Sequence, residues 1–205
     1  MTPRAVTLVI GFSPGSLSDN VARVLDLAAG TGANLRYLSP MLGPAQEWLL
    51  VDIDPMLLAE ASARAPNGVQ VATRTMDLGT LDDPAIFRGR DLVTASALLD
   101  LVSGPWLLRV ARGCRESGAL ALFALTYDGR STCTPSDQDD EMIRELMNRH
   151  QRQSNKGFGR AAGPDATAAA DAELLLPYGL CEARGPYLTN FGTAVRRALL
   201  DWMES

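Results

Sequence analysis

Three aspartates in the first 80 residues sit at the ends of apolar runs: Asp26 in VLDLAAGTGANL (24–35), Asp52 in LLVDIDPMLLAEA (49–61) and Asp77 in TRTMDLGTL (73–81). The small residues after Asp26, namely Ala28, Gly30, Thr31 and Gly32, form a turn that lets a ligand approach the backbone, where the N–H groups of a following helix bind its anionic or polar parts. Read as a dinucleotide fingerprint, the turn is Ala28-x-Gly30-x-x-Ala33 and lacks the first glycine of a pyrophosphate-binding loop. The spacing Asp26-x-Ala28-x-Gly30-x-Gly32 describes it better. Asp52 can accept both hydrogens of a ribose diol, an interaction common to several nucleoside cofactors. Asp54, followed by Pro55, has the form of a helix N-cap instead.

Elements must hold these residues in place. Val24–Ala28, Trp48–Ile53, Val69–Thr73, Asp91–Ala95 and Ala119–Thr126 read as strands, with helical spacing around 33–42, 55–64 and 104–116. Near-continuous apolar strands, each followed by a helix, predict an α/β protein with a doubly wound, mostly parallel sheet covered on both faces. In such a sheet the carboxyl ends of the strands open on the ligand crevice, which is where Ser96, Asp100, Tyr127 and Asp128 fall. His150, the one histidine, lies at helical spacing from Ile143, Leu146 and Met147 in 139–152. It reads equally as a packed structural histidine and as a general base. KGFGR (156–160) reads as a substrate lid, the alternative being an ordinary inter-helix loop, and Pro164 and Asp165 read as a helix start.

Composition narrows the function. At 205 residues and 46% hydrophobic content, one domain with one core is the expectation, 1–205. A net charge of −5 and a single lysine, Lys156, argue against a sequence-independent nucleic-acid surface. Cys114, Cys133 and Cys181 are too scattered for a disulfide framework or a zinc site, which fits a reducing cytoplasm, and no metal is expected. Val6–Phe12 is too short for a signal-peptide core or a membrane span, so no membrane association is expected.

The ordered motifs over 24–126 resemble those of the class I S-adenosylmethionine-dependent methyltransferases. The resemblance implies a Rossmann-like methyltransferase fold with S-adenosyl-L-methionine as cofactor. It implies that Asp26 holds the amino-acid end, often through water, and that the turn of Ala28, Gly30, Thr31 and Gly32 passes beneath the sugar and methionine. Asp52 then takes the ribose, with Ile53 beside it, Asp77 accepts from the adenine amino group, and the Leu78 N–H faces the ring. DLVTASALLDLV (91–102) matches the fourth strand, and its Ser96 falls under the transferable methyl.

On this reading 1–23 is a short N-terminal segment, 24–126 the cofactor-binding core, and 127–205 the substrate-side helices and the sheet edge. The family usually has helices before its first strand, whereas TLVIGF reads as a strand. The usual seventh strand, antiparallel between the fifth and sixth, is hard to place: Leu180–Ala183 suits the sixth, Tyr187–Phe191 a short substitute, and Ala194–Met203 reads as a helix. A shortened member lacking that strand and the N-terminal cap is expected.

Methyl transfer from a sulfonium is a direct displacement that alignment alone can largely catalyse, with a base needed where the acceptor must lose a proton. Asp100, Tyr127 and His150 are the candidates for that role. The Asn/Asp-Pro-Pro-Tyr/Phe type of motif, which resembles that of enzymes methylating the amino groups of adenine or glutamine, is absent at 96–102, and O- or N-methylation of a small-molecule acceptor (EC 2.1.1.-) by a monomer or homodimer is the expected function. The alternatives are a non-catalytic S-adenosylmethionine-binding protein and an NAD-binding oxidoreductase, the latter giving Asp77 no role.

Overall fold

The computed structural model describes residues 6–10, 21–42, 44–81, 83–125, 129, 135–153 and 157–165. Among the described residues, six strands form one sheet: β1 (Val6–Ile10), β2 (Val21–Leu27), β3 (Ala45–Asp52), β4 (Gln70–Thr75), β5 (Leu92–Ser96) and β6 (Leu120–Leu125). The helices are α1 (Ala33–Leu38), α2 (Pro55–Ala63), α3 (Gly104–Ser117) and α4 (Asp140–Gln153). All five strands expected from the sequence are present, with ends shifted by one to three residues.

The sheet order is β1-β6-β5-β2-β3-β4, and β2 to β6 are all parallel. The chain steps outward from β2 to β3 and β4, then returns to the other side of β2 to form β5 and β6. That reversal lies between β2 and β5, where a crevice opens at the carboxyl ends of the strands. β2 is central and its carboxyl half is closed to solvent, with Val24, Leu25 and Leu27 fully buried, because a parallel strand covered by helices on both faces has no wet side there.

β1 runs antiparallel along β6, pairing Val6 with Leu125 through Ile10 with Ala121. Val6–Ile10 is therefore a strand, as the run TLVIGF suggests, and it takes an antiparallel place beside the fifth parallel strand. An uncovered β6 edge would present a row of unpaired N–H and C=O groups. The stretches 180–183, 187–191 and 194–203 lie outside the described residues.

Two aromatic anchors hold the helices down. On one side the fully buried Trp48 donates from Nε1 to Gln46 (2.9 Å), whose own amide donates to the Ser39 carbonyl (2.8 Å). On the other, α3 buries Trp106, Leu107, Val110, Ala111 and Cys114 along one face, and Trp106 Nε1 donates to the Leu78 carbonyl at 2.7 Å. Gly113 faces the Phe87 ring so closely that a Cβ there would stand 2.7 Å from it. Gly118, at φ 72°, ends the helix.

Trp106→Phe removes the donor to a buried carbonyl while keeping most of the packing. Urea unfolding is expected to show a loss of about 1–3 kcal/mol; an unchanged midpoint would mean that the Leu78 carbonyl finds another donor.

Candidate functional site

The carboxyl ends of β2, β3, β4 and β5 bring the chemistry together. Asp26 lies one residue inside the end of β2, Asp52 ends β3, Asp77 follows β4 by two residues, and Ser96 ends β5. Backbone bonds stitch the turns side by side: Ala29 N–H donates to the Val51 carbonyl (3.1 Å) and Met76 N–H to the Asp52 carbonyl (2.9 Å).

The turn after β2 is bent by positive φ at Ala28 (54°), Gly30 (53°) and Gly32 (76°). A non-glycine residue in this region costs roughly 1–2 kcal/mol, so Ala28 stores strain where the sequence pattern usually has glycine. The two glycines serve different needs. A Cβ on Gly32 would stand 3.0 Å from Ala61 Cβ, so its bareness lets α2 pack against the turn; a Cβ on Gly30 would meet nothing within 4 Å. Gly30 thus leaves open floor in front of the strand ends.

Asp52 ties this turn to the next strand. Its Oδ2 accepts from Gly30 N–H at 2.8 Å and its Oδ1 from Asp54 N–H at 3.1 Å. A carboxylate offers about four acceptor positions, so two remain for a ligand diol. Asp54 caps α2 by accepting from Met56 N–H at 2.8 Å, the role its place before Pro55 suggests. Ile53 is 65% exposed between these two buried or capping acids, a solvent-facing apolar side chain at the crevice rim.

Asp26 is 1% exposed. Its Oδ1 accepts from Asn34 Nδ2 at 3.0 Å, and its Oδ2 is buried with no partner among the described residues. Burial pushes its pKa up to about 7; the Asn34 hydrogen bond opposes the rise, and the negative charge of Asp52 adds to it. Asp77 is exposed, and its Oδ1 accepts from Gly79 N–H at 2.8 Å, closing a short turn. Leu78 buries its side chain and gives its carbonyl to Trp106.

On the β5 side Ser96 is exposed at the open end. Asp100 stands in the 3-10 turn Leu99–Leu101 that follows, half-buried, with Oδ1 unpartnered among the described residues. Burial raises its pKa, partly offset by a bond from its own backbone N–H. Tyr127 and Asp128 lie outside the described residues.

His150 does not pack inward. α4 has no buried residue, His150 is exposed, and Ile143, Leu146 and Met147 are 47–51% exposed. The apolar spacing does make a face, but no described element covers it. Gly157–Arg160, part of the segment expected to be a lid, is docked. Ser103 Oγ donates to the Phe158 carbonyl (2.7 Å), the Phe158 ring meets Trp106 edge-on at 5.7 Å, and Ala162 N–H donates to the Val102 carbonyl (2.9 Å). The expected helix start at Pro164 is a 3-10 turn, Gly163–Asp165.

Two residues of the site were missed. Thr94 is a polar residue in the apolar run LVTAS, and Asn34 a polar one on the buried side of α1; each breaks an apolar pattern, and that break was the available signal.

Residues 24–118 match the family model described as a methyltransferase domain. No curated protein matches the chain. Among solved structures, the chain is similar to an S-adenosylmethionine-dependent methyltransferase from Clostridium acetobutylicum, at 22% identity and a TM-score of 0.40 over 50% of this chain and 42% of that one. It is also similar to an arsenic(III) S-adenosylmethionine methyltransferase from Chlamydomonas reinhardtii, at 26% identity and a TM-score of 0.37 over 44% of this chain and 34% of that one. This chain therefore spans less than half the length of either structure. The match to the methyltransferase-domain model covers 95 of the chain's 205 residues. Among the described residues, no helix is long and apolar enough to cross a membrane.

The elevated pKa of Asp26 fixes a pH dependence. The folded state holds this proton up to about pH 7, against 3.8 for the free side chain, so the contribution of Asp26 to stability is full below about pH 4 and lost as pH rises toward 7. Asp26→Asn cannot ionise. Its stability relative to the parent is expected to climb between pH 4 and pH 7 by on the order of several kcal/mol and then level off, which melting curves across that range would read. A parallel pair of curves would contradict it.

Proposed function

We propose that the protein is a methyltransferase that uses S-adenosyl-L-methionine to methylate a small-molecule acceptor at oxygen or nitrogen. The observation that carries this reading is the arrangement at adjoining strand ends of three acids around an open glycine floor, in the segment that matches the methyltransferase domain. The residues fit the cofactor. Asp26 has a buried, unpaired oxygen suited to an ammonium group. Asp52 has acceptor positions left for a ribose diol. The floor at Gly30 is clear of side chains.

When bound, the cofactor supplies a methyl group on a sulfonium, transferred by direct displacement. The chain's part is to bind and align. Gly30 N–H, bonded to Asp52, fixes the carboxylate under the ribose. Asp77 accepts from the adenine amino group, with the Leu78 N–H toward the ring and Ile53 against its face. Ala28, Thr31 and Gly32 shape the turn beneath the methionine, and Ser96 lines the end of β5 near the methyl.

Where the acceptor must lose a proton, Asp100 is the residue best suited to take it. It stands in the turn that follows β5, and its raised pKa and unpartnered oxygen suit a base. His150, exposed on α4, contributes only if the acceptor reaches that helix, and Tyr127, two residues past β6 in the sequence, is a further candidate.

Calorimetry is expected to show binding of S-adenosylmethionine and S-adenosylhomocysteine and none of NAD; tight NAD binding with no response to either sulfur compound would overturn the assignment. Asp52→Ala is expected to weaken cofactor binding by about 2–4 kcal/mol and, since it orphans two backbone N–H groups, to lower stability as well. Asp54→Ala should cost about 1 kcal/mol of stability with cofactor affinity kept. Equal losses of affinity in the two variants would show that the division between ligand contact and helix cap is wrong.

A further inference from the structure

Asp26 and Thr94 are register partners across the parallel pair β2 and β5, the two strands between which the chain reverses direction. Above them Asn34, in the first turn of α1, places one side-chain nitrogen 3.0 Å from Asp26 Oδ1 and 2.9 Å from Thr94 Oγ1. One NH2 group thus spans both strands at the floor of the crevice.

The charged surroundings of Asp26 are unusual for a buried acid. Asp52 faces it from β3 and contributes negative charge. Arg36, the nearest cation in sequence on α1, is turned away and donates to the Thr31 carbonyl at 2.5 Å. Among the described residues no arginine, lysine or histidine forms an ion pair with Asp26 or Asp52. Neutral Asn34 and Thr94 are what the fold supplies, and Asp26 Oδ2 is left without a partner. A buried carboxylate in such a place is costly until a cation arrives.

We propose that Asn34 is a positioning residue that holds the Asp26 carboxyl in place across the β2–β5 crevice, so that cofactor binding is coupled to release of the Asp26 proton. The inference rests on the cofactor reading above. In the free protein the carboxyl is neutral over the lower part of the physiological range. Arrival of the cofactor's ammonium group replaces the missing countercharge; the Asp26 O–H proton leaves to solvent, and the carboxylate and ammonium remain as a pair. Burial moves the pH of this exchange upward, and the Asn34 N–H bond, which favours the ionised carboxyl, brings it back down.

The test is calorimetry of S-adenosylhomocysteine binding, which involves no turnover, in buffers of different ionisation enthalpy from pH 6 to pH 7.5. The parent protein is expected to release more than about half a proton per bound molecule at pH 6.5, and its affinity to fall toward about tenfold per pH unit below the carboxyl's transition. Asn34→Leu removes the donor and is expected to move that transition to higher pH, weakening binding at pH 7 while leaving it nearer normal at pH 8. Asn34→Gln, which keeps an amide, should restore part of the parent profile. Binding without proton release at pH 6.5 overturns the proposal and leaves the cofactor reading standing, even if the Asn34 variants fail to fold. A folded Asn34→Leu protein with the parent pH profile also overturns it. Absence of binding at every pH overturns the cofactor reading and this inference together.

Discussion

Asp26 occupies a closed position in the sheet, near the carboxyl end of a central strand with parallel neighbours on both sides. Placing an ionisable group there sets conditions on everything around it. A hydrogen bond must reach it, and Asn34 supplies one. A second acid, Asp52, must be satisfied elsewhere, and backbone N–H groups do that. The site is therefore short of positive charge by construction, and a ligand carrying a cationic end gains from what the free protein lacks.

The bonds of Asp52 transmit this arrangement sideways. By accepting from Gly30 and Asp54 at once, it joins the turn after β2 to the start of α2, and the Met76 N–H that reaches its carbonyl brings the β4 loop into line. The strain at Ala28 is retained because bonds on either side of it over-determine the turn. Three loops from three strands consequently behave as one surface, so small residues suffice where bulky ones would obstruct a ligand.

The far wall is held by a different chemistry. Trp106 packs in the core, bonds the Leu78 carbonyl and receives the Phe158 ring on its edge. The loop that carries Asp77 is thereby linked to the strap Gly157–Asp165, which comes from much later in the chain. Gly79 lies so close to the Gly157 carbonyl that the two segments meet backbone to backbone. A strap seated in this way braces the loop that carries Asp77.

The sequence by itself determined the parallel strands, their order along the chain, the three acids at their ends, the cap at Asp54 and the strand near the N-terminus. These follow from local rules: apolar runs of strand length, helical periods and the capping preference of an aspartate before proline. The order of strands in space, with β5 returning beside β2, is a property of tertiary packing, and it alone makes partners of Asp26 and Thr94, 68 residues apart, and sets Asn34 over both. The direction of the α4 face was likewise undecided, because periodicity fixes which residues share a face but not whether anything packs on it; Ile143, Leu146 and Met147 share one and stay exposed. The proton on Asp26 belongs to the tertiary structure too, since a carboxyl's affinity for its proton depends on the water and charge around it, and only the folded sheet removes the one and withholds the other.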